Sequence, residues 1–192
     1  MNFISKNFRK AGIFNSIIIF IAMILEVNSM FSDISICEKA ITVLVILGLL
    51  SGMYYSISGY KKDDAKYYQL FMYIYVFILL CDLMFALYFA LINRNDATSS
   101  WNNVNTTTSV IKLIPLLCVT TLAFGKDLGK NKSFILAIVS FVAVLGSIIA
   151  EVLVYNDFIQ YSGIYLGFLM LSCTTVVFVA GKYADKKERG TK

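Results

Sequence analysis

Six long apolar runs divide this chain, and they restrict its fold more than any other feature of the sequence. A run of about 18 or more apolar residues is long enough to cross a bilayer as a helix. Of the 192 residues, 58% are hydrophobic and only 15% are charged, a balance typical of membrane proteins. The predicted spans are Gly12–Met30, Ala40–Ser58, Tyr67–Ile92, Thr107–Phe124, Ser133–Val154 and Tyr161–Gly181.

These runs predict an all-α integral membrane protein with six transmembrane helices, forming a single domain over residues 1–192. Lipid offers no partner to an unpaired backbone group, and the alternating pattern of a membrane barrel is absent from the sequence. The connections between the runs are short except for residues 93–106. We therefore expect no soluble domain between the spans.

Lysine and arginine predict the orientation of the spans. The two tails, the second connection and the fourth connection carry 14 of the 17 basic residues, whereas Lys39, Arg94 and Lys112 lie elsewhere. Cytoplasmic segments are enriched in lysine and arginine, so we expect a multi-pass protein of the cell membrane with both termini in the cytoplasm. The net charge of +5 then reflects topology and attraction to anionic lipid, and predicts no nucleic-acid partner.

Three carboxylates interrupt the apolar runs: Glu26 in the first span, Asp82 in the third and Glu151 in the fifth. A charged group in hydrocarbon is costly, and such residues are usually paired or functional. Glu26 lies near a span end, where snorkelling to the interface also explains it. Lys112 enters the membrane from the outer side near the expected depth of the acids, so we predict an outward-opening polar pocket shared by these groups.

The spans also resemble repeated helical hairpins. Lys39 heads the second span and Lys112 heads the fourth, and the next outgoing helix carries Asp82 and Glu151 respectively. Lysine and acid are 43 residues apart in the first copy and 39 in the second.

Helical spacing predicts which polar side chains face inward. On the fifth span Ser140, Ser147 and Glu151 form one stripe, and on the sixth Tyr165, Ser172 and Thr175 share a face. Tyr75 lies two turns below Asp82, and Asn15, Ile19, Ala22 and Glu26 form a line on the first span. Serine and threonine in membrane helices also serve as hydrogen-bonding contacts between helices or with their own backbone. Small residues such as Gly48 and Gly146 indicate close helix packing.

The residue inventory excludes several chemistries. The chain has no histidine, no phosphate-binding loop and no paired CxxC cysteines, so we expect no metal and no cofactor. Carboxylates would have to move the protons of any hydrolytic reaction. An acid in apolar surroundings suits a proton donor, and an acid near Lys112 suits a base that activates water.

Several motifs carry a family resemblance. The segment Ile111-Lys112-Leu113-Ile114-Pro115-Leu116-Leu117-Cys118 resembles the lysine–proline motif of the lysoplasmalogenase-like membrane proteins, the YhhN family. Ser147-Ile148-Ile149-Ala150-Glu151 is similar to that family's serine–glycine–aspartate helix, with alanine for glycine and glutamate for aspartate. The stretch beginning at Gly167 resembles the next helix, with Thr175 where histidine is usual, and the stretch around Asp82 resembles a further acidic helix.

The resemblance implies a hydrolase that cleaves the vinyl ether of a lysophospholipid. Asp82 and Glu151 would be the proton donor and the base, in one order or the other, while Lys112, Ser147, Glu26 and Thr175 would bind the substrate. The partner would be a membrane lipid or lysophospholipid. The family usually has eight spans, and six are predicted here.

Two other interpretations fit the same residues. Six short-looped helices with a repeat also suit a small-molecule transporter or a substrate-capture subunit, in which the charges bind a polar solute. The charged residues would otherwise be structural ion pairs that hold helices together.

Overall fold

The structure is a computed structural model, and it describes residues 65–92, 99–125, 128–155 and 158–189 together with parts of the N-terminal third, chiefly 16–25 and 46–51. This part of the chain contains six helices and no strand. We name them α1 (Ser16–Leu25), α2 (residues 46–51), α3 (Ala65–Ile92), α4 (Ser99–Phe124), α5 (Lys130–Tyr155) and α6 (Phe158–Arg189). The all-helical class predicted from the sequence is confirmed.

The four longest helices all extend past the apolar runs that predicted them. Helix α4 begins at Ser99, eight residues before the predicted span, and α6 continues to Arg189. Hydropathy marks the apolar part of a helix, whereas backbone hydrogen bonds continue into polar sequence. At the end of α4, Gly125 donates its backbone N–H to the Thr121 carbonyl at 2.9 Å. Gly129 then adopts a φ of 78°, a left-handed conformation that glycine adopts without steric strain.

Contacts between the long helices show that each one runs opposite to the helix before it. Asp82 of α3 meets Lys112 of α4 at one end, and Gln69 of α3 meets the Ala123 carbonyl at the other. Helix α4 packs against α3 and α5, α5 packs against α6, and α6 returns to contact α3. The four longest helices therefore form an antiparallel bundle in which α3 and α5 run one way.

The core of this bundle is apolar and aromatic. Phe71 of α3 packs against Phe178 of α6 with ring centroids 4.9 Å apart, and both side chains are buried. Ile19 and Ala22 of α1 are fully buried, which confirms the inward line on the first helix at these two positions. Asn15 and Glu26, the other members of that line, lie outside the described residues.

Two helices in the described residues are long and apolar enough to cross a membrane: Lys130–Ala150 and Tyr165–Tyr183. Only 28% and 44% of these segments are buried inside the protein, and large apolar side chains such as Leu153 and Val142 are exposed. A core helix of a soluble domain would be mostly buried. These helices thus indicate association with a membrane.

The glycines of α2 and α5 differ in their surroundings. A Cβ atom added to Gly48 would lie 2.5 Å from Cγ1 of Ile78, so α2 and α3 pack closely at this point. The prediction of close packing is confirmed for Gly48. Gly146 was expected to play the same role, but it is exposed and an added Cβ would meet no described atom within 4 Å.

We expect Gly48→Ala to destabilise the protein by about 1–3 kcal/mol, because the added methyl group must displace Ile78 or separate α2 from α3. Gly146→Ala is the matched control and should be neutral or slightly stabilising, since alanine is the better helix former. Thermal unfolding in detergent compares the two variants. A Gly48→Ala protein as stable as Gly146→Ala would show that the two helices are not in tight contact.

Candidate functional site

The centre of the candidate site is an ion pair between two neighbouring helices. Nζ of Lys112 in α4 lies 3.1 Å from Oδ2 of Asp82 in α3. The two side chains are only 17% and 11% exposed. Two opposite charges held together in a largely buried position attract strongly, and each lowers the cost of burying the other. The structure therefore joins two of the residues that the sequence singled out.

A small cavity lies against this pair. It encloses about 20 Å³, enough room for roughly one water molecule. The walls come from four helices, α3 to α6, and the lining residues are Asp82, Lys112, Pro115, Val144, Ser147, Ile148, Tyr165 and Phe168. The cavity is thus lined mostly by apolar surface, with an ion pair and the hydroxyl-bearing residues Ser147 and Tyr165 at its wall.

Polar groups recur at seven-residue intervals below the cavity. We call Asp82, Lys112, Ser147 and Tyr165 the outer level, and Tyr75, Ser140 and Ser172 the middle level. Asp82 and Tyr75, Ser147 and Ser140, and Tyr165 and Ser172 are each seven residues apart. Seven residues are two helical turns, or about 10 Å along the helix axis.

Hydrogen bonds between hydroxyl groups connect neighbouring helices of the bundle. The hydroxyl groups of Tyr75 and Ser172 are hydrogen-bonded to each other, and both side chains are fully buried. Further down, Ser133 of α5 and Tyr183 of α6 are hydrogen-bonded at 3.1 Å. The contacts run between α3 and α6 and between α5 and α6, so hydroxyl groups hold the core of the bundle in register.

Two predicted substrate-binding residues have different positions. Ser147 is buried, lines the cavity and donates its hydroxyl to the Val144 carbonyl at 2.9 Å. Thr175 is fully buried and donates to the Leu171 carbonyl of its own helix at 2.8 Å, and it does not line the cavity. The structure therefore brings Ser147 to the ion pair and leaves Thr175 further along α6.

The other two predicted acids differ in how much of them the structure describes. Glu26 lies outside the described residues. Glu151 belongs to α5, one helical turn beyond Ser147, and its side chain lies outside the described part of the chain. Its place on the helix puts its Cα one turn beyond Ser147, toward the Tyr155 end of α5.

Five lining residues are not among the predicted site residues: Pro115, Val144, Ile148, Tyr165 and Phe168. Tyr165 had a usable signal, because it shares a helix face with Ser172 and lies at the depth of Lys112. Pro115 follows Lys112 by three residues, and it has no N–H to donate to the Ile111 carbonyl one turn earlier. Phe168 had no signal that separates it from the other apolar residues of its span.

No described cysteine lines the cavity, and the described residues contain no cluster of metal ligands. In the described helices Cys81, Cys118 and Cys173 are free thiols. Among the described residues no group of three or more histidine, cysteine, aspartate or glutamate side chains could hold a metal ion. The described lining side chains supply a carboxylate, an ammonium group and hydroxyl groups.

Comparison of the chain with family models, with curated proteins and with solved structures found no match.

Proposed function

We propose that the chain is a multi-pass protein of the cell membrane with six spans and both termini in the cytoplasm. The alternating direction of α3 to α6 and the outward-facing apolar side chains of α5 support this topology. The lysine and arginine distribution supports the orientation.

Cysteine labelling in intact cells tests the topology. In a background without the four native cysteines, Asn102→Cys should react with a membrane-impermeant maleimide in intact cells. Lys187→Cys should react only after the membrane is permeabilised. The reverse pattern would contradict the orientation, and labelling of both sites in intact cells would contradict the number of spans between them.

We propose further that the protein is a hydrolase that cleaves the vinyl ether of a lysophospholipid, as its lysoplasmalogenase-like motifs imply. The observation that carries this proposal is the Asp82–Lys112 ion pair beside a cavity of one water volume. In that pair Asp82 is a carboxylate, which accepts protons. Asp82 is therefore assigned as the base that activates water, and Glu151 as the proton donor.

The proposed reaction has four proton transfers, which return both acids to their starting states. Glu151 protonates the vinyl carbon that is not bonded to oxygen, which leaves positive charge on the carbon bonded to oxygen, and water attacks that carbon while Asp82 accepts its proton. In the collapse of the hemiacetal, Glu151 takes back the proton of the hemiacetal hydroxyl and Asp82 gives its proton to the glycerol oxygen, which releases a fatty aldehyde and a free glycerol hydroxyl. Lys112 would face the lipid phosphate or stabilise the acid beside it.

The size of the cavity sets a requirement on this mechanism. A volume of about 20 Å³ holds the attacking water but no lipid, whose binding sites are typically at least about 300 Å³. The substrate must therefore enter between helices that separate to admit it. Tyr165 and Phe168 of α6 lie at the cavity wall, so movement of α6 against α4 would widen it.

Product formation tests the hydrolase directly. Purified protein in lipid nanodiscs should release fatty aldehyde from a lysophospholipid with a vinyl ether chain. The same lipid with a saturated alkyl ether should stay intact, since it offers no carbon to protonate. Thr121→Val is a suitable control variant, because Thr121 donates to its own helix at the Leu117 carbonyl, away from the cavity. Absence of aldehyde with protein shown to be folded would end the hydrolase proposal.

A second candidate function is the binding or transport of a zwitterionic solute. The observation that favours it is that the cavity presents an ammonium group and a carboxylate together. A solute with both charges could exchange partners with this pair. A thermal-shift screen of amino acids and other zwitterions would then give a compound that stabilises the protein without being consumed, whereas aldehyde release would favour the hydrolase.

A further inference from the structure

The middle level of the bundle contains a hydroxyl group whose environment is unusual. Ser140 of α5 is fully buried, and its Oγ has no hydrogen-bond partner among the described residues. Buried polar atoms in folded proteins nearly always have a partner, either in the protein or in an ordered water. The Ser140 hydroxyl therefore indicates that a ligand binds at the middle level.

Other hydroxyl groups in the bundle donate to a carbonyl of their own helix, whereas the Ser140 hydroxyl does not. Ser147, Thr174 and Thr175 each donate to a carbonyl three or four residues earlier in their own helix. This is the common way for a serine or threonine in a helix to satisfy its hydroxyl. The Ser140 hydroxyl lies beside that of Tyr75 instead, near enough for a weak side-chain hydrogen bond but without the geometry of a full one.

The groups around Ser140 form a suitable site for a small polar ligand. Tyr75 and Ser172 share one hydrogen bond, and each hydroxyl oxygen has further capacity to accept. The three hydroxyl groups come from α3, α5 and α6 and carry no charge. A buried water typically makes two to four hydrogen bonds, and three uncharged hydroxyl groups satisfy that requirement better than they would satisfy an ion.

We propose that Tyr75, Ser140 and Ser172 form a buried water site, which continues the polar space of the Asp82–Lys112 pair one level deeper into the bundle. The seven-residue spacing between the outer and middle levels places the two sites on the same helix faces. Asp82 also lies within electrostatic range of the Tyr75 hydroxyl. The proposed water site does not depend on whether the outer level hydrolyses a lipid or binds a solute.

Hydroxyl-radical labelling by a synchrotron X-ray pulse tests the water site in the unmodified protein. Radicals formed from a bound water modify the side chains next to it, even where bulk solvent has no access. Tyr75 should be modified, and Met72 should not. Met72 is an internal control because it is equally buried three residues away and its thioether reacts more readily than a phenol. Tyr75 as unreactive as Met72 would overturn the proposal.

The variant Ser140→Ala gives a second measurement, the change in the unfolding temperature. The sign of this change depends on whether the Ser140 hydroxyl binds water. Removal of a hydroxyl that binds water should lower the unfolding temperature by about 2–4 °C and reduce Tyr75 labelling several-fold. Removal of a hydroxyl that has no ligand should raise the unfolding temperature, because the cost of burying it disappears. A rise in the unfolding temperature would contradict the water site. A fall without any labelling of Tyr75 in the unmodified protein would indicate a direct Ser140–Tyr75 bond and would also contradict it.

Discussion

Asp82→Leu alone is expected to destabilise the protein by about 3 kcal/mol, because it leaves the ammonium group of Lys112 largely buried without its carboxylate. Lys112→Met alone should have a similar effect, because it leaves the Asp82 carboxylate largely buried without the ammonium group of Lys112. The two side chains are only 11% and 17% exposed, so water compensates little. Unfolding of each variant in detergent, followed by heat or denaturant, measures these changes.

The double variant Asp82→Leu with Lys112→Met should recover most of the lost stability. Replacing a buried ion pair by apolar side chains is often neutral or even stabilising, since neither charge then has to be desolvated. Lys132→Met is a control for loss of a positive charge, because Lys132 is exposed at the start of α5, and we expect less than about 0.5 kcal/mol. A double variant no more stable than the weaker single variant would show that the two residues do not act as a pair.

The same double variant separates a functional pair from a structural one. If Asp82 and Lys112 only hold α3 against α4, a stable protein without them should keep its activity. If they form the site, the protein should fold and be inactive. Stability and activity therefore have to be measured on the same preparation.

Periodicity in the sequence predicted the inward faces of the helices well. The stripe of Ser140 and Ser147 is buried, and Ser172 and Thr175 are fully buried as their shared face predicts. These positions follow from 3.6 residues per turn alone. The ion pair joins two groups that the sequence predicts at similar depth in the membrane, Lys112 and Asp82.

The choice of partner helix could not be predicted in the same way. Periodicity gives the face of a helix but not the neighbour that covers it, so the Tyr75–Ser172 bond between α3 and α6 was not expected. Gly146 shows the same difficulty, since a glycine in an apolar run does not reveal whether it faces a helix or lipid. The cavity volume likewise depends on how Phe168 and Val144 fill the space, which a sequence pattern does not specify.

Asp82→Asn is expected to lower the rate of aldehyde release by about 10²–10⁴-fold, because asparagine keeps the shape of the side chain but cannot accept a proton from water. Glu151→Gln should reduce the rate by a similar factor, since it removes the proposed donor. Rates are compared at a temperature well below the unfolding transition of each variant, so that loss of folded protein does not contribute.

The combination of both substitutions distinguishes a shared catalytic unit from two separate effects. When two groups act in one reaction, removing the second costs little once the first is gone. The double variant Asp82→Asn with Glu151→Gln should therefore be no slower than the slower single variant. If the two losses multiply instead, both acids contribute independently to one rate-limiting step, and the assignment of Glu151 as donor in the first step and Asp82 as base in the second is wrong. If Asp82→Asn keeps full activity, Asp82 has no catalytic role and its pairing with Lys112 is structural.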